Sequence, residues 1–428
     1  MNSPIILGAG LAGLSAAYYS GGIVYEKDKQ VGGRAKSRNK NGFVFDEGIH
    51  VLHTKNEEVL SLIKQVGANL QPRQREAWIY SYGAMTRYPF QANTFGLPVN
   101  IVKDCLIGFI NNDFKEQGKI KNYADWLYFM FGKGIAEHFM LPYSQKFWGV
   151  APSELNTEWV DIRHPKPTLE EVIEGALTDQ KKGFGVNAEF LYPAQGGFGA
   201  IAESLANSIK NRIKLSMAVT GIDFKRKEIE FNHREKVNYE KVISTLPLPE
   251  LVDLIKDVPI KIKEAAQKLR YNSILAVNLG INRPQITNKH WIYYHEPEYC
   301  FFRISFPFNK ASSMALEGAS SVAAEISYGN NNPLPVARER VVEKVIVDLQ
   351  KAKILQPDDQ VLFSDVVDIK YGYVIYSSNR EAAVQRIKDY LRENRIYAAG
   401  RYGEWAYLWS DEAILSGRRV AEEAMAIK

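Results

Sequence analysis

The 428-residue sequence predicts a mixed α/β fold with α+β character, on three observations. An apolar strand, a glycine-rich turn, a helix and a second strand open the chain. From Asn100 to about Gly175 apolar residues recur at helical spacing and strand signals disappear. From Ile274 to Tyr376 alternating apolar runs dominate, which is the mark of an antiparallel sheet.

The opening is Pro4-Ile-Ile-Leu7, Gly8-Ala-Gly10-Leu-Ala-Gly13, a helix from Leu14 to Tyr19 stopped by Gly21-Gly22, then Ile23-Val-Tyr-Glu26. Gly8 permits the tight turn, Gly10 lets backbone approach a pyrophosphate, and Gly13 lets helix and strand pack closely. The helix N-terminus offers unpaired N–H groups and a positive dipole end to phosphates. Glu26, ending the second strand, can accept hydrogen bonds from a ribose. A glycine turn of purely structural purpose is the bland alternative, and the flanking strands and acid weigh against it. The unit reads as a Rossmann-like dinucleotide site.

Val31-Gly32-Gly33-Arg34 follows directly. Gly33 lets the chain pass beside a bound ligand, and Arg34 can meet a phosphate or the edge of a ring. A surface turn with a solvated arginine is the alternative. At these residues the chain resembles the FAD superfamily that includes amine oxidases, protoporphyrinogen oxidase, phytoene desaturases and UDP-galactopyranose mutases.

Later elements follow the same reasoning. Pro193 to Ile209 reads as a glycine turn and helix, Ile213 to Phe231 as short strands, and Lys241 to Pro247 as a strand returning to the first sheet. Leu275–Ile281, Trp291–Tyr294, Phe301–Ile304 and Val322–Tyr328 read as sheet, interrupted by a helix from about Val336 to Ile354. The chain closes with Ile396-Tyr-Ala-Ala-Gly400, then a helix from about Asp411 with Ser410 as its N-cap. The expected organisation is a Rossmann-like FAD-binding domain (residues 1–80, 190–250 and 385–428). It is interleaved with a helical lobe (95–180) and an antiparallel β-sheet substrate domain (81–94 and 251–384).

Composition bounds the function. With 46% hydrophobic and 24% charged residues the chain is ordinary globular protein. Its net charge of +5 is modest, and Lys and Arg are interspersed with acids, which argues against nucleic acid and suits a small anionic substrate. Cys105 and Cys300 alone support neither a disulfide framework nor a zinc site, and no metal is expected. No apolar run spans a bilayer and the first strand starts at once, so a cytoplasmic protein without a membrane span is expected.

Three segments narrow the chemistry: Phe131 to Pro152, Trp291-Ile-Tyr293 with Phe301-Phe-Arg303, and Gly400-Arg401-Tyr-Gly403-Glu-Trp405-Ala-Tyr407. With Tyr88-Pro-Phe-Gln91 and Asp46-Glu-Gly48-Ile-His50 they resemble UDP-galactopyranose mutase, its eukaryotic branch more than its bacterial one. The resemblance implies Tyr88 and Gln91 at the nucleobase and aromatic walls from Phe139, Tyr143 and Trp148. Arg303 and Arg401 would grip the diphosphate, aided by Tyr407 and by Tyr373 or its neighbour Tyr376. Trp291, Tyr293 and Asn187 would surround the sugar, and His50 would sit beside the flavin. Gly400 and Ser410 would join Gly8, Gly10, Gly13, Glu26, Gly33 and Arg34 at the cofactor.

From the residues alone, a diphosphate needs two cationic forks, and arginine supplies these better than lysine. A structural ion pair is the alternative for each arginine, and core filling for each aromatic. The implied reaction is a redox-neutral pyranose–furanose interconversion of a nucleotide sugar, through a sugar bonded to N5 of reduced FAD, with NAD(P)H priming the flavin. A related mutase on another nucleotide sugar, as a homo-oligomer or not, fits the same residues. The rival is an FAD-dependent oxidoreductase of the amine oxidase or protoporphyrinogen oxidase type, for which Arg303 and Arg401 have no diphosphate to hold.

Overall fold

The structure, a computed structural model, describes residues 3–115, 119–160, 163–185 and 188–426. Five short strands form an all-parallel sheet in the order Ile396–Ala398, Val242–Ser244, Ile5–Leu7, Ile23–Tyr25 and Ile213–Lys214. Segments hundreds of residues apart converge because the three strands Ile396–Ala398, Val242–Ser244 and Ile5–Leu7 are buried along their whole length and find that burial only between layers. Ile6, Leu7, Val242, Ile243 and Ile396 have no exposed surface.

Helix Leu11–Ser20 covers one face of this sheet and ends at Gly21, whose φ of 72° supplies the left-handed cap. The final helix, Ser410–Ala426, packs across it. Ser410 is the first residue inside that helix rather than its cap; the Glu412 carboxylate accepts from the Trp409 amide instead. The helix starts one residue early because an acid two positions in can satisfy the orphan N–H.

The second sheet has seven strands in the order Val361–Val374, Tyr271–Ile281, Ser320–Tyr328, Arg303–Ser305, Trp291–Tyr294, Ala77–Ser81 and Ala84–Arg87. All its pairings are antiparallel except Trp291–Tyr294 with Ala77–Ser81, which run parallel. Helix Val341–Lys351 seals one face over Leu275, Val277 and Ile326. Between Arg87 and Glu189 the described residues hold helices and no strand, with Val99–Ile110, Tyr123–Ile135, Leu141–Trp148 and Leu169–Leu177 the longest. A shared core joins this lobe to both sheets, Trp148, Phe302 and Ile5 belonging to one buried cluster. No described helix is long and apolar enough to cross a membrane.

Candidate functional site

One cavity of about 970 Å³ runs from the glycine turn to Arg303 and Arg401, between the parallel sheet and the seven-stranded sheet. At its first end Gly8 takes φ +100°, and a Cβ there would stand 2.3 Å from Thr245 Oγ1. Gly10 begins the first helix with no side chain and bridges to Gly32, while Gly33 turns beside it at φ +54°. These glycines leave the helix N-terminus bare toward the cavity. Gly13 does not line it; a Cβ there would meet the Gly8 carbonyl at 2.0 Å, so its role is close packing.

Glu26 lines the same wall. Its Oε2 accepts from Ala9 N at 2.7 Å and Oε1 from Asp28 N at 2.9 Å, which fixes the carboxylate and leaves lone pairs toward the cavity. Gly400, opening the short helix Gly400–Gly403, and Ser410, at the start of the last helix, complete the lining. Arg34 is on the wall too, with Nη1 donating to buried Glu47 at 3.2 Å. A cradle that any Cβ would fill, two helix N-termini and a fixed carboxylate suit a dinucleotide such as FAD.

The far end is cationic and aromatic. Arg303 donates through Nε and Nη2 to Glu325 Oε2, each at 2.6 Å. Arg401 donates through Nε to the Leu408 carbonyl at 2.8 Å and lies 5.8 Å from the Tyr373 ring and 5.2 Å from that of Tyr407. Tyr373 lines the same cavity as both guanidinium groups, and the positive charge of each acts on its hydroxyl. Trp291 Nε1 donates to the Tyr293 hydroxyl at 3.0 Å, and the Tyr293 ring lies 5.3 Å from Tyr88. His50 stacks on Phe198 at 5.4 Å, and burial lowers its pKa to about 4, so it is neutral. All of these side chains except Phe198 line the cavity.

Other expected residues lie elsewhere. Gln91 is buried and gives its amide to the Pro165 carbonyl at 2.8 Å. Phe139, Tyr143 and Trp148 are absent from the cavity wall and form a layer behind it. Phe139 stacks on Tyr143 at 5.2 Å, Tyr143 meets Tyr293 edge-on at 5.4 Å, and Trp148 backs Tyr373 and Tyr407, each at 5.7 Å. Asn187 lies outside the described residues. Of the two tyrosines left open, Tyr373 faces the cavity, while buried Tyr376 accepts from the Tyr407 amide at 2.8 Å.

Among the wall side chains that sequence reasoning missed are Glu325, Arg163, Arg75 and His53. Arg163 lies 3.9 Å from the Trp409 ring centroid, and its buried Nη1 has no hydrogen-bond partner among the described residues. Arg75 sits 4.8 Å over Tyr88. Only Glu325 had a readable signal, an acid inside an apolar strand.

Residues 11–425 match the family of flavin-containing amine oxidoreductases. The chain belongs to that family. A crystal structure of reduced UDP-galactopyranose mutase superposes with a TM-score of 0.93 at 27% identity, covering all of this chain and 95% of that one. Putrescine oxidase bound to putrescine shares the fold, at TM-score 0.68 and 16% identity over all of this chain and 99% of its own. Protoporphyrinogen oxidase 2 of Arabidopsis thaliana is 20% identical over 324 residues, 64% of this chain and 61% of that protein. The match to that relative thus spans less than two thirds of its length. The family's flavin fits the cradle described, and the chain is an enzyme of this FAD superfamily.

Proposed function

We propose that this chain is a flavin-dependent nucleotide-sugar mutase that interconverts the pyranose and furanose forms of a UDP-galactose-like substrate without net redox change. The observation that carries the reading is that Arg303, Arg401 and Tyr373 share the wall of the cavity whose other end is the glycine cradle. Similarity to the reduced mutase over the whole chain supports it.

The cradle residues Gly8, Gly10, Gly33 and Glu26 would hold the flavin, which when bound and reduced would supply the nucleophile. Arg303 and Arg401 take the diphosphate, each already held in one orientation by Glu325 or the Leu408 carbonyl. Such preorganised forks stabilise the charge that builds on the departing phosphate, worth about 10²–10³ in rate for a single donor. They also retain the diphosphate for its return. Tyr88 under Arg75 closes the nucleobase end, and Trp291 and Tyr293 place the sugar. Phe139, Tyr143 and Trp148 brace those rings from behind. NAD(P)H primes the flavin once, and the protein works in the cytoplasm.

A second reading, an FAD-dependent oxidase, draws on the Arabidopsis relative and the putrescine oxidase fold. Anaerobic incubation with dithionite and UDP-galactofuranose separates the two. A mutase yields the pyranose with no net flavin oxidation, whereas turnover only with an electron acceptor would reject the proposal.

A further inference from the structure

The segment 47–50 runs along the cavity and is tethered at three points. Glu47, buried at its start, meets Arg34 at 3.2 Å and Lys36 at 3.4 Å. At its end Lys310 Nζ donates to the His50 carbonyl at 3.4 Å. In the middle, Ile49 N–H donates to Glu325 Oε1 at 3.0 Å. Gly48 takes φ +84°, and a Cβ there would lie 3.1 Å from that same oxygen. The other oxygen of Glu325 holds Nε and Nη2 of Arg303. One buried carboxylate therefore touches the cation at the diphosphate end and the backbone of the segment that carries His50.

We infer that Glu325 is a positioning residue linking occupancy of the Arg303 guanidinium by a diphosphate to the placement of segment 47–50 beside the flavin. The inference rests on the diphosphate reading of Arg303. Arg303 lines the cavity with Nε and Nη2 committed to Glu325, so a phosphate meets the guanidinium at its Nη1 edge. It then shares a charge that Oε2 had to itself. Negative density on the carboxylate rises, and Oε1 holds Ile49 N–H more strongly. The two oxygens are rigidly joined, so any turn of the Arg303 pair also moves the oxygen under Ile49. Linkage makes the effect reciprocal: segment placement alters diphosphate affinity by the same factor.

The test titrates UDP into the FAD-loaded, oxidised protein, following heat of binding and flavin absorption together, for wild type, Glu325→Gln and Glu325→Asp. Glutamine keeps the volume but offers one acceptor oxygen, so it cannot serve both donors. Aspartate keeps the charge but is one methylene too short to reach both. The expected result is a UDP-induced shift of the flavin bands in wild type and its loss in both variants, which still bind UDP and FAD. A shift of wild-type size in both variants overturns the link, as does UDP binding to wild type without any flavin response. If a variant fails to hold FAD, the wild-type flavin midpoint potential decides, since a value unmoved by UDP rejects the link. Wild type that binds no UDP at all instead rejects the diphosphate reading beneath it.

Discussion

Arg303 and Glu325 stand directly opposite each other on neighbouring antiparallel strands, their side chains 13% and 4% exposed. Two N–H groups reach one carboxylate oxygen, so the plane of the guanidinium is set before any ligand arrives. A lone cation buried this deeply would be costly, and the pairing offsets part of that cost. It also leaves the outer edge of the guanidinium to the cavity, which is the geometry a bidentate phosphate contact needs.

Arg401→Ala should weaken UDP binding while FAD stays bound. A charge-assisted hydrogen bond is worth about 1.5–3 kcal/mol, which corresponds to roughly 10- to 150-fold in Kd. Calorimetric titration of the FAD-loaded variant measures this, and an affinity equal to wild type would remove Arg401 from the diphosphate clamp. Arg303→Ala should weaken UDP at least as much, and it should also lower Tm because Glu325 is left buried without its cation.

Gly417→Ala should loosen the cofactor without touching it. A Cβ at Gly417 would lie 2.1 Å from the Ala12 carbonyl, where the last helix crosses the first. Backbone cannot yield there cheaply, so overpacking costs about 1–3 kcal/mol and displaces the helix that presents Gly10. Thermal denaturation should show a lower Tm, and gel filtration should show reduced FAD retention. Full retention at wild-type Tm would contradict this packing.

Lys310→Met should destabilise the fold by about 3 kcal/mol, the low end for breaking a buried pair. Lys310 lies 3.3 Å from Asp46, with both side chains 2% exposed. Asp46 keeps hydrogen bonds from Tyr192 at 2.6 Å, Ser37 at 2.7 Å and the Phe198 amide at 2.9 Å, which limits the loss. Adding Asp46→Asn should recover part of the loss, because the uncompensated charge is then gone. Urea denaturation of the single and double variants checks both statements.

Stability should fall as the solution is acidified below about pH 6.5. Burial lowers His50, His53, His164, His290 and His295 each from 6.5 to about 4. The unfolded chain therefore binds more protons than the folded one between those values, so the contribution is complete above 6.5 and drains as pH falls toward 4. Urea midpoints at pH 7, 6 and 5 should decline with uptake of more than one proton on unfolding. A flat profile over that window would mean the imidazoles are not desolvated.

Much of the cofactor end was legible in sequence because its requirements are local. Gly8, Gly10, Gly13 and Glu26 sit within one strand–turn–helix–strand unit, and each follows from a backbone angle or a close approach. The aromatic residues were harder to assign. Phe139, Tyr143 and Trp148 share a helical stretch with Phe131 and Phe147, and nothing in the spacing says which rings face a ligand and which face other rings. They stack behind Tyr293, Tyr373 and Tyr407 because the lobe presents that face to the second sheet. Gln91 was drawn away by the carbonyl of Pro165, a partner 74 residues distant.

By itself the sequence determined the glycine turn with the acid that closes it, the alternation of parallel and antiparallel sheet, and the two arginines as the cations worth watching. Periodicity and turn chemistry act over a few residues, so one chain carries them in plain view. Only the tertiary structure decided that Arg303 meets Glu325, that Glu325 also holds Ile49, and that Arg75 and Arg163 join the wall. Those contacts depend on strand register and on lobe against sheet, where residues far apart in the chain become neighbours through burial that no local pattern encodes.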